Sequence, residues 1–117
     1  MQLNEIRFEN VAPVDGYGPG FFRIAGQVLR GPVLVTSTGA TLWGGFSDTV
    51  PLLALTGRID VLFIGTGAEI AHIPADLRTA LDAVGIGVES MASPVAARSY
   101  NVLLSEGRRI AAALLPV

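Results

Sequence analysis

The chain has no cysteine, no lysine and a single histidine, His72. Without cysteine, disulfide bonds, thiol nucleophiles and cysteine-ligated zinc or iron–sulfur centres are excluded. His72 has no second histidine or cysteine with which to share a metal ion, so we expect a packing or loop role for it and no metal site. All eight basic residues are arginines, and only Arg108 and Arg109 are adjacent. Because duplex nucleic acids bind clustered basic faces, we expect no nucleic-acid partner.

No uncharged stretch is long enough to span a membrane. The longest, residues 31–47, contains Pro32, several glycines and several hydroxyl side chains. A spanning helix needs about 20 consecutive, mostly apolar residues. Residues 1–9 also lack the basic segment and apolar stretch of a signal peptide. The sequence therefore predicts a cytoplasmic protein without a membrane span.

Hydrophobic residues make up half of the 117 positions, and charged residues only 15%. A chain of this length and composition is expected to form one domain over residues 1–117, with a core of its own. It is too apolar for a disordered tail or linker. A buried sheet explains the high hydrophobic content, and so does a homodimer interface; the sequence leaves both open.

The first third of the chain is predicted to be rich in β-structure. Alternating residues predict strands at 6–8 and 22–28, with a loop of turn-forming residues at 13–20 between them. Gly31-Pro32 is a break, followed by a strand at 33–35 and a short strand at 41–43.

Helices and strands alternate in the remainder. A short helix is predicted at 48–55 after a Ser47 cap, and longer helices at 74–84 and from Ser93 to Gly107. Leu77, Leu81 and Val84 are expected to share the buried face of the first long helix. Apolar runs at 61–64 and 110–115 are typical of strands covered on both faces, and a further strand is expected at 86–89. The unit from 61 to 89 should place two strands in parallel. These elements predict an α/β domain with a central mixed sheet and a β-rich N-terminal portion.

Familiar catalytic motifs are incomplete in this sequence. Gly65-Thr66-Gly67 follows a predicted strand, and Glu89 lies 22 residues after Gly67, as in a dinucleotide-binding fingerprint. The third glycine of that fingerprint is replaced by Ile70, and the next helix begins too late. No serine-hydrolase elbow or pair of catalytic carboxylates stands out either. We therefore expect no catalytic residues, no cofactor and a non-enzymatic role.

One candidate ligand site follows from the predicted topology. If the strands ending near Ile64 and Glu89 are parallel neighbours, the turn after the first and the helix start after the second lie at the same edge of the sheet. Such edges bind ligands, and helix N-termini with nearby arginines attract anions. The sequence thus predicts a small-anion or nucleotide site bordered by five residues: Gly65, Thr66, Gly67, Ser93 and Arg98.

The last helix has a polar face that admits two interpretations. Arg98, Asn101 and Ser105 are spaced to lie opposite the apolar stripe that contains Tyr100. This face is either an ordinary solvated surface or, together with the glycine turn, an interaction surface. In the second case Arg98 and Asn101 supply hydrogen bonds to a partner, whereas Tyr100 anchors the helix in the core.

Several segments in combination resemble one known family. They are Gly31–Val35, Trp43, Asp60–Gly67, Gly85–Glu89 with Met91, Arg98–Leu103 and Glu106–Leu114. In order and spacing they resemble the small single-domain family that includes mitochondrial respiratory complex I assembly factor 3. Ser93 and Ser99 stand where many members have threonine.

This resemblance implies a three-layer α/β fold with a central mixed sheet, and it implies no cofactor or catalytic residue. It favours a protein-interaction or assembly module, with protein partners, for respiratory or other membrane-protein complexes. The alternative is the small-anion or nucleotide-binding module at the glycine turn. Because a shared fold is a weak argument for a shared function, the choice depends on the site itself.

Overall fold

The computed structural model describes residues 12–117 of the chain. The strand expected at 6–8 lies outside the described residues. In chain order the elements are β1 (Val14–Gly18), β2 (Phe21–Ile24), β3 (Gln27–Arg30), β4 (Val33–Thr36), β5 (Gly39–Leu42), α1 (Val50–Leu53), β6 (Val61–Thr66), α2 (Ala75–Ala83), β7 (Gly87–Met91), α3 (Ser93–Ser105) and β8 (Ile110–Leu115).

A five-stranded mixed sheet in the order β5-β4-β8-β6-β7 forms the centre of the fold. β6 pairs in parallel with β7 on one side and with β8 on the other, whereas β4 is antiparallel to both β8 and β5. The apolar runs predicted as strands covered on both faces are therefore the two central strands, β6 and β8. The predicted parallel unit from 61 to 89 is confirmed.

Successive residues of the central strands face opposite layers. Leu62 and Ile64 belong to a core beneath α1 and α2, whereas Phe63 between them belongs to a core beneath α3. Period-two alternation sends neighbouring side chains to opposite faces of a sheet, and here both faces are apolar because both are covered. The result is the three-layer α/β arrangement that the family resemblance implies.

A second sheet, in the order β1-β2-β3, lies on the α3 side of the molecule and shares that core. Two predictions were wrong in this region. β1 occupies most of the segment predicted as a loop at 13–20, and β2 and β3 divide the strand predicted at 22–28. Ala25 and Gly26, both with positive φ (49° and 82°), form the two-residue turn between them, so Gly26 is a turn residue and not a strand residue.

The helices follow the predictions with local differences. α1 begins after Thr49, not Ser47, and has four residues with Pro51 in its first turn, where proline is tolerated. α2 buries Leu77 and Leu81, but Val84 follows its last turn and is 36% exposed. α3 packs against β6 and β8 through Ala96, Ala97, Tyr100 and Leu104, each of them buried. No helix within residues 12–117 is both long enough and apolar enough to cross a membrane.

Candidate functional site

The end of β6 and the start of α3 meet at the carboxyl ends of the parallel strands. The predicted turn Gly65-Thr66-Gly67, called the glycine turn below, is a turn only in part: Gly65 and Thr66 are the last residues of β6 and pair with its neighbouring strands, and only Gly67 follows the strand. The Ser93 hydroxyl accepts a hydrogen bond from the Gly67 amide at 2.9 Å and donates one to the Leu115 carbonyl at 2.6 Å. The Ser93 amide in turn donates to the Gly67 carbonyl at 2.8 Å. The side chain of Ser93 is fully buried. Ser93 therefore connects β6, β8 and α3 at one point.

Close packing explains the glycine at position 65. A Cβ atom there would lie 2.6 Å from the Ser93 hydroxyl and 2.8 Å from the Ser93 Cα. Both separations are shorter than contacts between real side chains, and one of them involves backbone. Gly65 thus lets α3 approach β6 directly, which is a packing role.

The Thr66 hydroxyl organises the loop that follows β6. It accepts a hydrogen bond from the Ala71 amide at 3.0 Å, and the Glu69 and Met91 carbonyls lie 2.8 and 3.2 Å from it. A hydroxyl has one donor hydrogen and two acceptor lone pairs, so these contacts use most of its capacity. Thr66 closes the loop onto the end of β7.

The sequence-predicted site is thus assembled as a tightly bonded junction. Gly65, Thr66, Gly67 and Ser93 are brought together, but the Gly67 amide, the Ser93 amide and the Ser93 hydroxyl all donate to or accept from groups of the chain itself. Anion binding at this turn stays a prediction. It would require an incoming ligand to displace these internal hydrogen bonds.

Asn101 does not lie on a freely solvated face, contrary to the helical-wheel expectation. Its carboxamide oxygen accepts from the Val14 amide at 2.9 Å, and its nitrogen donates to the Val14 carbonyl at 2.7 Å. The side chain pairs with β1 as a neighbouring strand residue would. The sequence could not show this, because the partner is 87 residues away.

Arg98 is exposed on α3, one turn before Asn101. Two valines of the same helix, Val95 and Val102, are 46% and 50% exposed. Residues at these spacings share one side of a helix, so an arginine lies between two apolar side chains at the surface. The sequence interpretation missed the valines, although their i, i+3, i+7 spacing around Arg98 was visible. We call Val95, Arg98 and Val102 the outer α3 face.

Tyr100 anchors α3 from the opposite side of the helix, as expected. Its ring is fully buried, and its hydroxyl lies 2.9 Å from the Ala12 carbonyl and 3.0 Å from the Thr36 carbonyl. Burial raises the pKa of the Tyr100 hydroxyl far above its usual value of 10.0, because desolvation disfavours the charged form. It therefore acts as a permanent hydrogen-bond donor.

The described part of the chain contains no assembled metal site. Residues 12–117 contain no cluster of three His, Asp or Glu side chains that could hold a metal ion. His72 is exposed in the loop before α2. The residues at the carboxyl edge of the sheet pack α3 against β6, hold the backbone of the adjoining loop in position and form part of the protein surface.

Comparison with known proteins shows the family of this chain. A family model described as "Protein of unknown function (DUF498/DUF598)" matches residues 14–115. The chain belongs to this family. An uncharacterized protein of Rhodobacter capsulatus is 53% identical over 117 residues, which is 100% of this chain and 94% of that protein.

Other members of similar sequence carry a functional name. NADH dehydrogenase (ubiquinone) 1 alpha subcomplex assembly factor 3 of Danio rerio is 37% identical over 107 residues, covering 86% of this chain and 62% of that protein. The factor of the same name from Homo sapiens is 30% identical, over 88% of this chain and 60% of that protein. The chain thus spans about three-fifths of the length of these two relatives. The resemblance seen in the sequence is confirmed.

Solved structures of similar proteins share the fold. An outer membrane protein from Bartonella henselae is 36% identical with a TM-score of 0.81, covering 93% of this chain and 98% of that chain. A Bordetella pertussis protein described as a Mth938-like domain is 25% identical with a TM-score of 0.79, covering 99% of this chain and 92% of that chain. The three-layer α/β fold is thus common to these relatives.

Proposed function

We propose that this protein is a non-enzymatic assembly module that binds a protein partner during the formation of a respiratory or other membrane-protein complex. The observation that carries the proposal is the 37% identity, over 86% of the chain, to a protein named as an assembly factor of NADH dehydrogenase. The matched region includes most of the fold and omits part of the relative. The shared domain is therefore the part that we propose to bind the partner.

We assign the binding surface to the outer α3 face, next to the glycine turn. Arg98 offers a planar set of donors for a carboxylate or carbonyl of the partner, and Val95 and Val102 add apolar area on both sides of it. Arginine is enriched at the energetically dominant positions of interfaces. Gly65, Thr66, Gly67, Ser93 and Asn101 contribute by fixing α3 and its flanking loop in position.

The test compares two double variants that match in chemistry and exposure. Arg98→Glu/Val102→Gln alters the outer α3 face. Arg23→Glu/Val28→Gln alters a cross-strand pair on β2 and β3, where Arg23 is exposed and Val28 is 49% exposed against 50% for Val102. Tagged wild type and both variants are purified from source cells, and the copurifying proteins are quantified by mass spectrometry.

We expect subunits of NADH dehydrogenase or of another membrane complex to copurify with the wild type. Their recovery should fall about tenfold with Arg98→Glu/Val102→Gln, since loss of a central interface arginine typically costs more than 1.4 kcal/mol. Recovery should be unchanged with the β2–β3 variant. Equal recovery with both variants would remove the outer α3 face from the proposal. A deletion strain with normal levels of assembled membrane complexes would contradict the assembly role itself.

Cellular location and self-association belong to this proposal as well. We propose that the protein acts from the cytoplasm. Because the similar Bartonella henselae protein is named an outer membrane protein, the same experiment includes cell fractionation.

A homodimer is the second kind of protein partner. It would show as the tagged chain recovering its own untagged copy.

A further inference from the structure

A cavity at the opposite edge of the central sheet brings together arginines that are dispersed in the sequence. It has a volume of about 600 Å³ and lies where β6 and β8 begin. Three connections line it: the β4–β5 turn, the segment between α1 and β6, and the segment between α3 and β8. Their polar side chains are three hydroxyls and three guanidinium groups: Thr36, Ser37, Thr38, Arg58, Arg108 and Arg109.

Within residues 12–117, the charged side chains that line this cavity are all arginines. No aspartate or glutamate of that part of the chain lines it, although the whole chain has a net charge of −2. Arg109 is held in place by Asp60 at 3.3 Å and by the Gly57 carbonyl at 3.1 Å. This pair is well exposed and contributes little to stability, so it orients the loop more than it supports the fold. Arg58 and Arg108 are exposed and are the cations available to a ligand.

The end of α3 accounts for only part of this cluster. A basic residue after a helix C-terminus is favoured by the helix dipole, which explains one arginine following Gly107. It does not explain a second one beside it, nor Arg58, which comes from the segment after α1. Two separate segments converge with the same charge, and a third, the β4–β5 turn, adds hydroxyl groups beside it.

The floor of the cavity is aliphatic. Leu55 and Ile59 come from the α1–α2 side of the sheet, and Leu104 and Ile110 from the α3 side. None of the described residues that line the cavity is aromatic, so they offer no ring on which a nucleobase could stack. Guanidinium groups pair with phosphate oxygens through two parallel hydrogen bonds, and hydroxyls add single ones.

We propose that this cavity binds a small aliphatic phosphate ester, with Arg58 and Arg108 on the phosphate oxygens, the Ser37 and Thr38 hydroxyls beside them, and the ester's alkyl group on the leucine and isoleucine floor. The site is independent of the proposed protein interface, because it lies at the amino ends of the parallel strands and not at their carboxyl ends. A ligand here would contact the central sheet and both helical layers.

The experiment is an amide NMR titration of the full chain at constant ionic strength, with inorganic phosphate, butyl phosphate and butyrate as probes. Shifts are expected at residues 36–38, 58 and 107–110. Butyl phosphate should bind about tenfold more tightly than inorganic phosphate, because the aliphatic floor removes part of its butyl group from water. Butyrate should be the weakest of the three.

Variants of exposed arginines separate the site from a general ionic attraction. Arg58→Gln/Arg108→Gln should weaken butyl phosphate binding at least about tenfold, because the variant loses both guanidinium groups that pair with the phosphate oxygens. Arg23→Gln, also exposed, should leave it unchanged. The proposal is overturned if millimolar butyl phosphate shifts no amide in these segments, or if Arg23→Gln weakens binding equally. It is also overturned if a glutamate-rich peptide binds here while the phosphates do not, which would indicate an acidic protein segment instead.

Discussion

Asn101 shows how a single polar side chain can act as a piece of β-sheet. Its carboxamide both accepts from and donates to the backbone of Val14, at 2.9 and 2.7 Å. Those two backbone groups are partly buried at the point where β1 begins. An unpaired backbone group in such a place is costly, so Asn101 holds the β1–β3 sheet against α3.

Replacement of Asn101 by alanine is expected to destabilise the protein by about 1–3 kcal/mol, because the Val14 amide and carbonyl lose their partners together. Urea unfolding followed by circular dichroism measures the change. Ser105→Ala is the control, since that exposed hydroxyl donates to the Val102 carbonyl of its own helix. Asn101→Asp should fall between the two, because a carboxylate still accepts from the Val14 amide but repels its carbonyl. Equal stability of Asn101→Ala and Ser105→Ala would show that the hydrogen bonds between Asn101 and Val14 contribute nothing to the free energy of unfolding.

At the scale of elements, the β2–β3 hairpin contains one residue in an unfavourable conformation. Ala25 has φ of 49°, a left-handed value that costs an L-residue with a Cβ roughly 1–2 kcal/mol, whereas Gly26 beside it adopts its positive φ freely. Asparagine tolerates this conformation, and Asn-Gly is the preferred pair for such two-residue turns.

Ala25→Asn is therefore expected to stabilise the protein by about 0.5–1 kcal/mol, which raises the melting temperature of a domain of this size by a few degrees. Ala25→Val, with a branched side chain at the same left-handed position, should lower it. Thermal unfolding of both variants beside the wild type gives the comparison. If valine is tolerated as well as asparagine, the turn does not hold this conformation.

The elements that the sequence predicted well are those with a local signal. β6, β8, α2 and α3 carry apolar runs or periodic stripes, and all four are confirmed within a few residues. β1 was missed because its residues Val14-Asp15-Gly16-Tyr17-Gly18 read as turn formers, and only pairing with β2 makes them a strand. Pairing partners are tertiary information, which a local pattern does not contain.

The candidate site was predictable to the same extent. The parallel topology correctly predicted that the Gly65-Thr66-Gly67 segment lies next to Ser93, since β6 and β7 end at one edge. It did not show that Gly65 and Thr66 are themselves strand residues, because their pairing with β7 and β8 is tertiary information. The Ser93 hydroxyl also donates to the Leu115 carbonyl, 22 residues later in the chain. This bond depends on β8 lying beside β6. The arginine cavity depends on three connections converging, so the arginines looked dispersed in the sequence.

At the scale of the whole molecule, Tyr100 joins the two sheets through a buried hydroxyl. Its hydroxyl reaches the Ala12 carbonyl, just before the small sheet, and the Thr36 carbonyl at the end of β4 in the central sheet. One hydroxyl hydrogen is shared between two carbonyl oxygens. Ionisation would remove that hydrogen and place a negative charge against both oxygens in a buried position.

The stability of the fold is therefore expected to fall in alkaline solution. Burial raises the pKa of Tyr100 in the folded protein, so its contribution is fully present below the unfolded value of about 10 and is lost as the pH rises beyond it. Above that value the unfolded chain releases a proton that the folded chain retains, and the free energy of unfolding should decrease by up to about 1.4 kcal/mol per pH unit. Urea unfolding between about pH 9 and pH 11 measures this slope.

Tyr100→Phe separates this residue from the remaining ionisable groups, which both proteins share. The variant should be less stable than the wild type near neutral pH, because the Ala12 and Thr36 carbonyls lose their donor, by about 1–3 kcal/mol. Its stability should then change less between pH 9 and pH 11, so that the two proteins converge as the pH rises. Parallel pH dependences would mean that Tyr100 ionises as readily in the folded chain as in the unfolded one.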